Sequence, residues 1–186
     1  MADSEGKEPV ERELKFAGVD LEKLRARLLE LEAERLAPSS LEENWIFDRH
    51  GELQAAGCVL RLREDGRGAL VTFKGPARFE GTLKVRREHE MRVDSAEQAR
   101  ALFESLGYRV VRRYQKYREE WRLGSEAIAL DHTPIGDFVE FEGANALVIA
   151  RRCGFDPATA DLRTYLRLYE DHLERHPEAP RDMLFP

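Results

Sequence analysis

Acidic and basic side chains recur at every second position along several segments of this chain, and that spacing is where its chemistry could reside. Over residues 10–16, Glu11, Glu13 and Lys15 share one face, while Val10, Arg12, Leu14 and Phe16 share the other. Arg61 and Arg63 alternate with Leu60 and Leu62, and Thr72 and Lys74 with Val71 and Phe73. Lys84, Arg86, Glu88 and Glu90 lie on one face of 83–93. Arg112, Tyr114, Lys116, Arg118 and Glu120 lie on one face of 108–123. Asp131 alternates with Leu130 and His132, and Glu140 and Glu142 with Val139 and Phe141.

For one strand alone, polar residues at period two are the solvated face of a half-buried sheet. Across all the strands the apolar faces also need cover, and amphipathic helices are at hand to provide it. With helices outside, the charged faces line the inside of a closed barrel. Clustered carboxylates repel and protonate unless cations neutralise them. Hard divalent ions, Mg²⁺ or Mn²⁺, suit oxygen ligands of this kind. Several arginines and lysines in the same cavity call for a highly charged anion, and Arg favours paired contacts with phosphate. One ligand, a polyphosphate together with its metal ions, meets both demands.

The elements that would position these residues follow from pattern and punctuation. Strands are expected at 10–16, 43–48, 58–63, 69–74, 83–93, 108–123, 126–132 and 137–142, with glycines and Pro76 between them. A helix is expected over 21–36, capped by Asp20 and ended by Pro38. A second opens at Ser95 with Gln98 three residues on, and Gly107 closes it. Two more are expected, at 145–153 and 162–175. Eight antiparallel strands with helices outside make an α+β chain whose barrel is wide enough for a small ligand. An open two-layer sandwich is the alternative. Residues 1–8 are expected as a disordered lead-in, 9–176 as one domain and 177–186 as a tail that either folds back or stays mobile.

Charged residues make up 35% of the chain and hydrophobic ones 42%, the balance of a globular protein. A net charge of −6 argues against a general nucleic-acid binder. No apolar run reaches membrane-spanning length, and the first nine residues are too polar for a signal peptide, so a cytoplasmic protein is expected. Cys58 and Cys153 read as reduced thiols. The five histidines show no zinc-type spacing, and there is no phosphate-binding glycine loop of the nucleotidase kind. Trp45, Phe47, Tyr114 and Phe138 are candidates for recognising an organic base, with core packing the competing role.

Glu11-Arg12-Glu13-Leu14-Lys15 fits an E-x-E-x-K signature, and the segments that follow it in order resemble one family's strand motifs. These are Leu60–Arg63, Thr72–Pro76, Arg87–Glu90, Lys116–Arg118 and Leu130–Gly143. The chain thus resembles the CYTH superfamily, the triphosphate tunnel metalloenzymes, over nearly its whole length. That family includes class IV adenylate cyclases, thiamine triphosphatases and inorganic tripolyphosphatases. The resemblance implies a tunnel in which Lys15, Arg61, Arg63, Lys74, Lys116 and Arg118, with Arg86, bind phosphates. It implies Mg²⁺ or Mn²⁺ on Glu11, Glu13, Asp131, Glu140 and Glu142, with Glu90 or its same-face neighbour Glu88 as a further ligand. Glu13, Lys15 and Glu142 would carry catalysis, and a homodimer is a reasonable expectation. The His-Phe pair of some cyclases has no counterpart in this chain. Three functions are therefore expected to compete: metal-dependent hydrolysis of a triphosphate, cyclisation of ATP, and binding of polyphosphate or nucleotide without turnover.

Overall fold

The computed structural model describes residues 10–186; the expected lead-in at 1–8 lies outside the described residues. The chain opens with β1 (Val10–Ala17), whose Glu11, Glu13 and Lys15 point to one side and Leu14 and Phe16 to the other. Asp20 then caps α1 (Leu21–Glu30), accepting a hydrogen bond from the Lys23 amide at 3.0 Å, and Leu24 and Leu28 bury its apolar stripe.

Here the expected helix is too long. Glu32 adopts φ 58, and β2 runs from Glu34 to Asp48, including residues 34–36 that the leucine spacing had assigned to the helix. β2 pairs along β7 (Arg109–Leu123), and its register slips between Arg35 and Ala37 and again between Ala37 and Ser40. Pro38 sits in that irregular stretch, where its missing N–H removes no regular ladder bond. It marks a bulge in a strand, not the end of a helix.

After the short α2 (Glu52–Ala55) come β3 (Val59–Asp65), β4 (Gly68–Lys74), β5 (Arg78–Glu80) and β6 (Leu83–Val93). β5 was not expected. It continues β4 along β6 after a break at Gly75-Pro76-Ala77. Ser95 caps α3 (Ala96–Ser105) through the Gln98 amide at 3.1 Å, as its spacing implied. Then come β7, β8 (Glu126–Thr133), β9 (Gly136–Glu142) and α4 (Ala146–Arg152). A 3₁₀ turn at Pro157–Thr159 follows, and α5 (Tyr165–Arg175) starts three residues later than expected, capped by Thr164.

The strand order is β1-β9-β8-β7-β2-β3-β4-β6, and β6 pairs back onto β1 through Glu11↔Arg86 and Glu13↔Lys84. Eight antiparallel strands thus close into the expected α+β barrel, with β5 as an extra strand. Closure removes the exposed edges that an open sheet would present. The apolar faces point outward and are covered. α1 and α4 pack over Leu14, Val139 and Phe141, and α3 packs over Phe47, Leu62 and Ala69. α5 and the tail gather Ile46, Tyr114, Phe138 and Met183 at one opening of the barrel. The tail folds back: Met183 is buried and exchanges backbone hydrogen bonds with β7 at 2.8 and 3.1 Å. No described helix is long and apolar enough to cross a membrane.

Candidate active site

Because β-strands send alternate side chains to opposite faces, outward apolar packing turns the charged residues inward. They surround a cavity of about 740 Å³. Glu11, Glu13 and Lys15 come from β1, Glu140 and Glu142 from β9, and Lys84, Arg86, Glu88 and Glu90 from β6. Lys74 comes from β4, Arg61 and Arg63 from β3, and Tyr114, Lys116 and Arg118 from β7. Every residue expected at the site lines this cavity except Asp131.

Asp131 is fully buried on the inward face of β8, in register with Arg118. Arg118 donates to it at 2.6 and 2.7 Å, Lys116 at 3.0 Å and the Tyr165 hydroxyl at 2.6 Å. Tyr165, at the start of α5, also lies beneath two ammonium groups, 4.2 Å from Lys15 and 4.9 Å from Lys116. Burial first, and then the negative charge of Asp131, push the Tyr165 phenol well above its ordinary range, so it stays a donor.

The lumen is polarised. On the β3–β7 side stand Arg61, Arg63, Lys116 and Arg118. On the β1–β9 side stand four glutamates, each held differently. Glu11 pairs with Lys74 at 2.7 Å and Arg86 at 3.0 Å, and Glu13 pairs with Lys84. Glu140 pairs with Lys15 at 3.3 Å and with Arg118. Burial alone would raise Glu140, but Arg118, Lys15 and Lys116 hold it well below the usual carboxylate range. Glu142 makes no ion pair among the described residues; it is exposed and lines the cavity. Burial, and then Glu11, push it up against the pull of Lys74 to about 7, with Glu88 and Glu13 adding to the rise.

Glu88 and Glu90 both face the cavity, so parity could not choose between them. Glu88 sits deeper, 13% exposed and 2.8 Å from Lys74. Glu90 stands nearer the rim at 45% exposed, accepting from Thr72 at 3.1 Å.

Among the described residues, no three His, Cys, Asp or Glu side chains already converge as an ion would need. Glu11, Glu13 and Glu140 are instead folded onto their basic neighbours. The donor set nonetheless fits a hard divalent ion: Glu11, Glu13, Glu140 and Glu142 lie on adjacent strands, with Glu13 facing Glu142 in register. Beyond burial, Glu11, Glu88 and Glu13 add to the rise of the Glu142 carboxyl, a repulsion that a cation would relieve.

Thr72, already placed on the face of Lys74 by the alternation, hydrogen-bonds Arg61 and Glu90. Two residues escaped the sequence reading. Tyr165 reaches in from a helix, which strand alternation cannot show. Glu42 lies on β2 ahead of the expected strand start, although the parity of Asn44 and Ile46, extended backward, would have found it. Of the four aromatic candidates, Tyr114 alone lines the cavity; Trp45 and Phe47 pack under α3, and Phe138 packs against Tyr165.

A closed barrel with acids facing bases across its lumen is the arrangement expected of the family the sequence resembles, and the CYTH domain model matches residues 10–147. The chain belongs to the CYTH family. A curated relative named "Putative adenylate cyclase", from Methanocaldococcus jannaschii, is 31% identical over 85 residues. That match covers 45% of this chain and 48% of the relative, so the chain spans about half the length of the curated relative it matches. Among solved CYTH-like structures, a "putative adenylate cyclase" from Vibrio parahaemolyticus superposes with a TM-score of 0.79 at 22% identity, covering 88% of this chain and 99% of that one. A Hippeastrum protein described as a putative adenylyl cyclase with a dominant triphosphatase activity superposes with a TM-score of 0.58 at 15% identity, over 90% and 88% of the two chains. At these identities the superpositions establish the fold.

Proposed function

We propose that this CYTH protein hydrolyses a triphosphate-containing small molecule inside its barrel, with Mg²⁺ or Mn²⁺. The observation that carries this reading is the facing of Arg61, Arg63, Lys116 and Arg118 across one lumen from Glu11, Glu13, Glu140 and Glu142. Phosphoryl transfer asks a protein chiefly for positioning and charge neutralisation, and this lumen provides both. The four cations, with Lys15, Lys74 and Arg86, bind the phosphate oxygens. Asp131 fixes the direction from which Lys116 and Arg118 approach.

Glu11, Glu13, Glu140 and Glu142 would hold the divalent ion, with Glu90 a further carboxylate at the rim; the bound ion neutralises phosphate charge and acidifies water. Lys15, between Glu140 and the Tyr165 ring, faces the charge that develops on the transferred group. α5 covers one opening and limits bulk water. In the reaction a water oxygen attacks the terminal phosphorus, the bridging P–O bond breaks, and the diphosphate portion leaves as the water's proton is released.

A second reading, ATP cyclisation, is supported by the relatives named as putative adenylate cyclases. There the 3′-hydroxyl attacks the α-phosphorus and pyrophosphate leaves, served by the same cations and carboxylates. Product analysis with tripolyphosphate, thiamine triphosphate and ATP offered separately distinguishes them. Orthophosphate that disappears with EDTA supports hydrolysis and its relative rates name the substrate, whereas cyclic AMP with pyrophosphate supports the cyclase. Tight binding with neither product would leave a binding module.

A further inference from the structure

On the inward face of β2, in register with Lys116, lies a buried acid with no part in the hydrolysis described above. Glu42 on β2 is 1% exposed and does not line the cavity. Arg63 lies 3.3 Å from one of its oxygens and Lys116 3.7 Å from the other. Neither approach makes a hydrogen bond, and both carboxylate oxygens lack any hydrogen-bond partner. Asn44, two residues along the same face, is also buried with neither amide atom bonded. Burial alone would neutralise Glu42, but Lys116, Arg118, Arg63 and Arg61 hold it ionised, down to about 2.

A buried carboxylate with unbonded oxygens is a costly feature that calls for an explanation. Orienting its neighbours accounts for little of this. Lys116 is already hydrogen-bonded to Asp131 at 3.0 Å, and Arg63, although nearer to Glu42 at 3.3 Å than to Asp65 at 3.8 Å, makes no hydrogen bond to Glu42. What Glu42 does add is a full negative charge directly beside the cations that face the lumen. In a weakly polarisable interior, that charge opposes any anion those cations hold.

We propose that Glu42 is a buried counter-charge that weakens the barrel's grip on phosphate anions so that product can leave. The proposal rests on reading the lumen as a triphosphate site. Substrate and product are both polyanions, so a wall with uncompensated cations would hold both tightly. Such uniform binding lowers KM without raising turnover. Glu42 touches neither ligand; it acts through Arg63 and Lys116.

The test is calorimetric titration of tripolyphosphate and pyrophosphate into the full-length protein in metal-free buffer, with steady-state kinetics alongside. Glu42→Gln keeps shape and removes charge, and is expected to bind both anions about tenfold tighter while kcat and KM fall together. Glu42→Asp keeps the charge and should bind within about twofold of wild type. Asn44→Asp adds a second negative charge to the same wall and should weaken binding about tenfold; it carries the test if Glu42→Gln does not fold. Unchanged or weaker binding by folded Glu42→Gln, the outcome of a purely structural role, overturns the proposal, as does unchanged or tighter binding by Asn44→Asp. A wild-type protein that binds no tripolyphosphate would overturn the reading of the lumen itself, which is a different result.

Discussion

Glu13 and Glu142 stand directly opposite one another on β1 and β9, and both carboxylates face the lumen. Like charges at facing positions of an antiparallel pair repel. Lys84 takes up Glu13, while Glu142 is pushed up to about 7, by burial first and then chiefly by Glu11. Between the ordinary Glu range and about 7, the folded protein therefore binds more protons than the unfolded chain. The stability this residue contributes is present in acid and is lost as pH rises through 7. Without divalent ions, Glu142→Gln should melt above wild type at pH 8 and level with it near pH 4.5. The effect should be modest because lumen water reaches the carboxyl. Thermal scans showing the same difference at both pH values would contradict the assignment.

A divalent ion at the same glutamates competes with that proton. Mg²⁺ or Mn²⁺ should raise the melting temperature more at pH 8 than at pH 6. Binding near pH 7 should release protons, visible as a dependence of calorimetric heat on the ionisation enthalpy of the buffer. Heats that do not change with buffer would place the ion elsewhere.

Asp131 is predicted to act by bracing. Asp131→Asn leaves the Lys116 and Arg118 charges buried with less compensation, at a stability loss of about 3 kcal/mol or more. Because both cations then lose their shared anchor, turnover should fall on the order of 100-fold. A variant of wild-type stability and activity would show that the brace is dispensable.

Gly143 closes β9 at φ 135, and a Cβ there would come within 1.8 Å of Glu126 Oε2. Glu126 is itself buried, accepting from the Asn145 amide at 3.0 Å and from its side chain at 3.1 Å, which fixes the entry to α4. Gly143→Ala should therefore destabilise the protein by about 2 kcal/mol or more, through strain and a displaced Glu126. Denaturant unfolding would measure it, and a loss below about 0.5 kcal/mol would mean that Glu126 moves aside freely.

The barrel wall was legible because period-two alternation survives wherever a strand is regular. Glu11, Glu13, Arg61, Lys74, Lys116 and Glu142 all kept the parity read from their neighbours. Legibility failed where the local pattern was shared by two structures. Leu28, Leu31 and the residues up to Leu36 continue a helical spacing, yet pairing with β7 claims the chain from Glu34 onward. Parity also carries no depth: Asp131 is on the inward face but does not line the cavity, and its carboxylate accepts from Lys116, Arg118 and Tyr165. Tyr165 arrives from a helix laid over the barrel's opening, a tertiary contact that no strand pattern contains. The tail, undecided in sequence, is fixed by Met183 on β7 and by the Tyr169 hydroxyl donating to the Pro180 carbonyl at 2.6 Å.

The central claim is that triphosphate is cleaved inside this lumen between the cationic and acidic walls. The most direct test is orthophosphate release from tripolyphosphate with Mg²⁺ or Mn²⁺, comparing wild type with Glu13→Gln and Arg63→Ala, each confirmed folded by its thermal transition. The account predicts turnover by wild type that EDTA abolishes, and a loss on the order of 100-fold in each variant. Wild-type turnover that persists in both folded variants would contradict it.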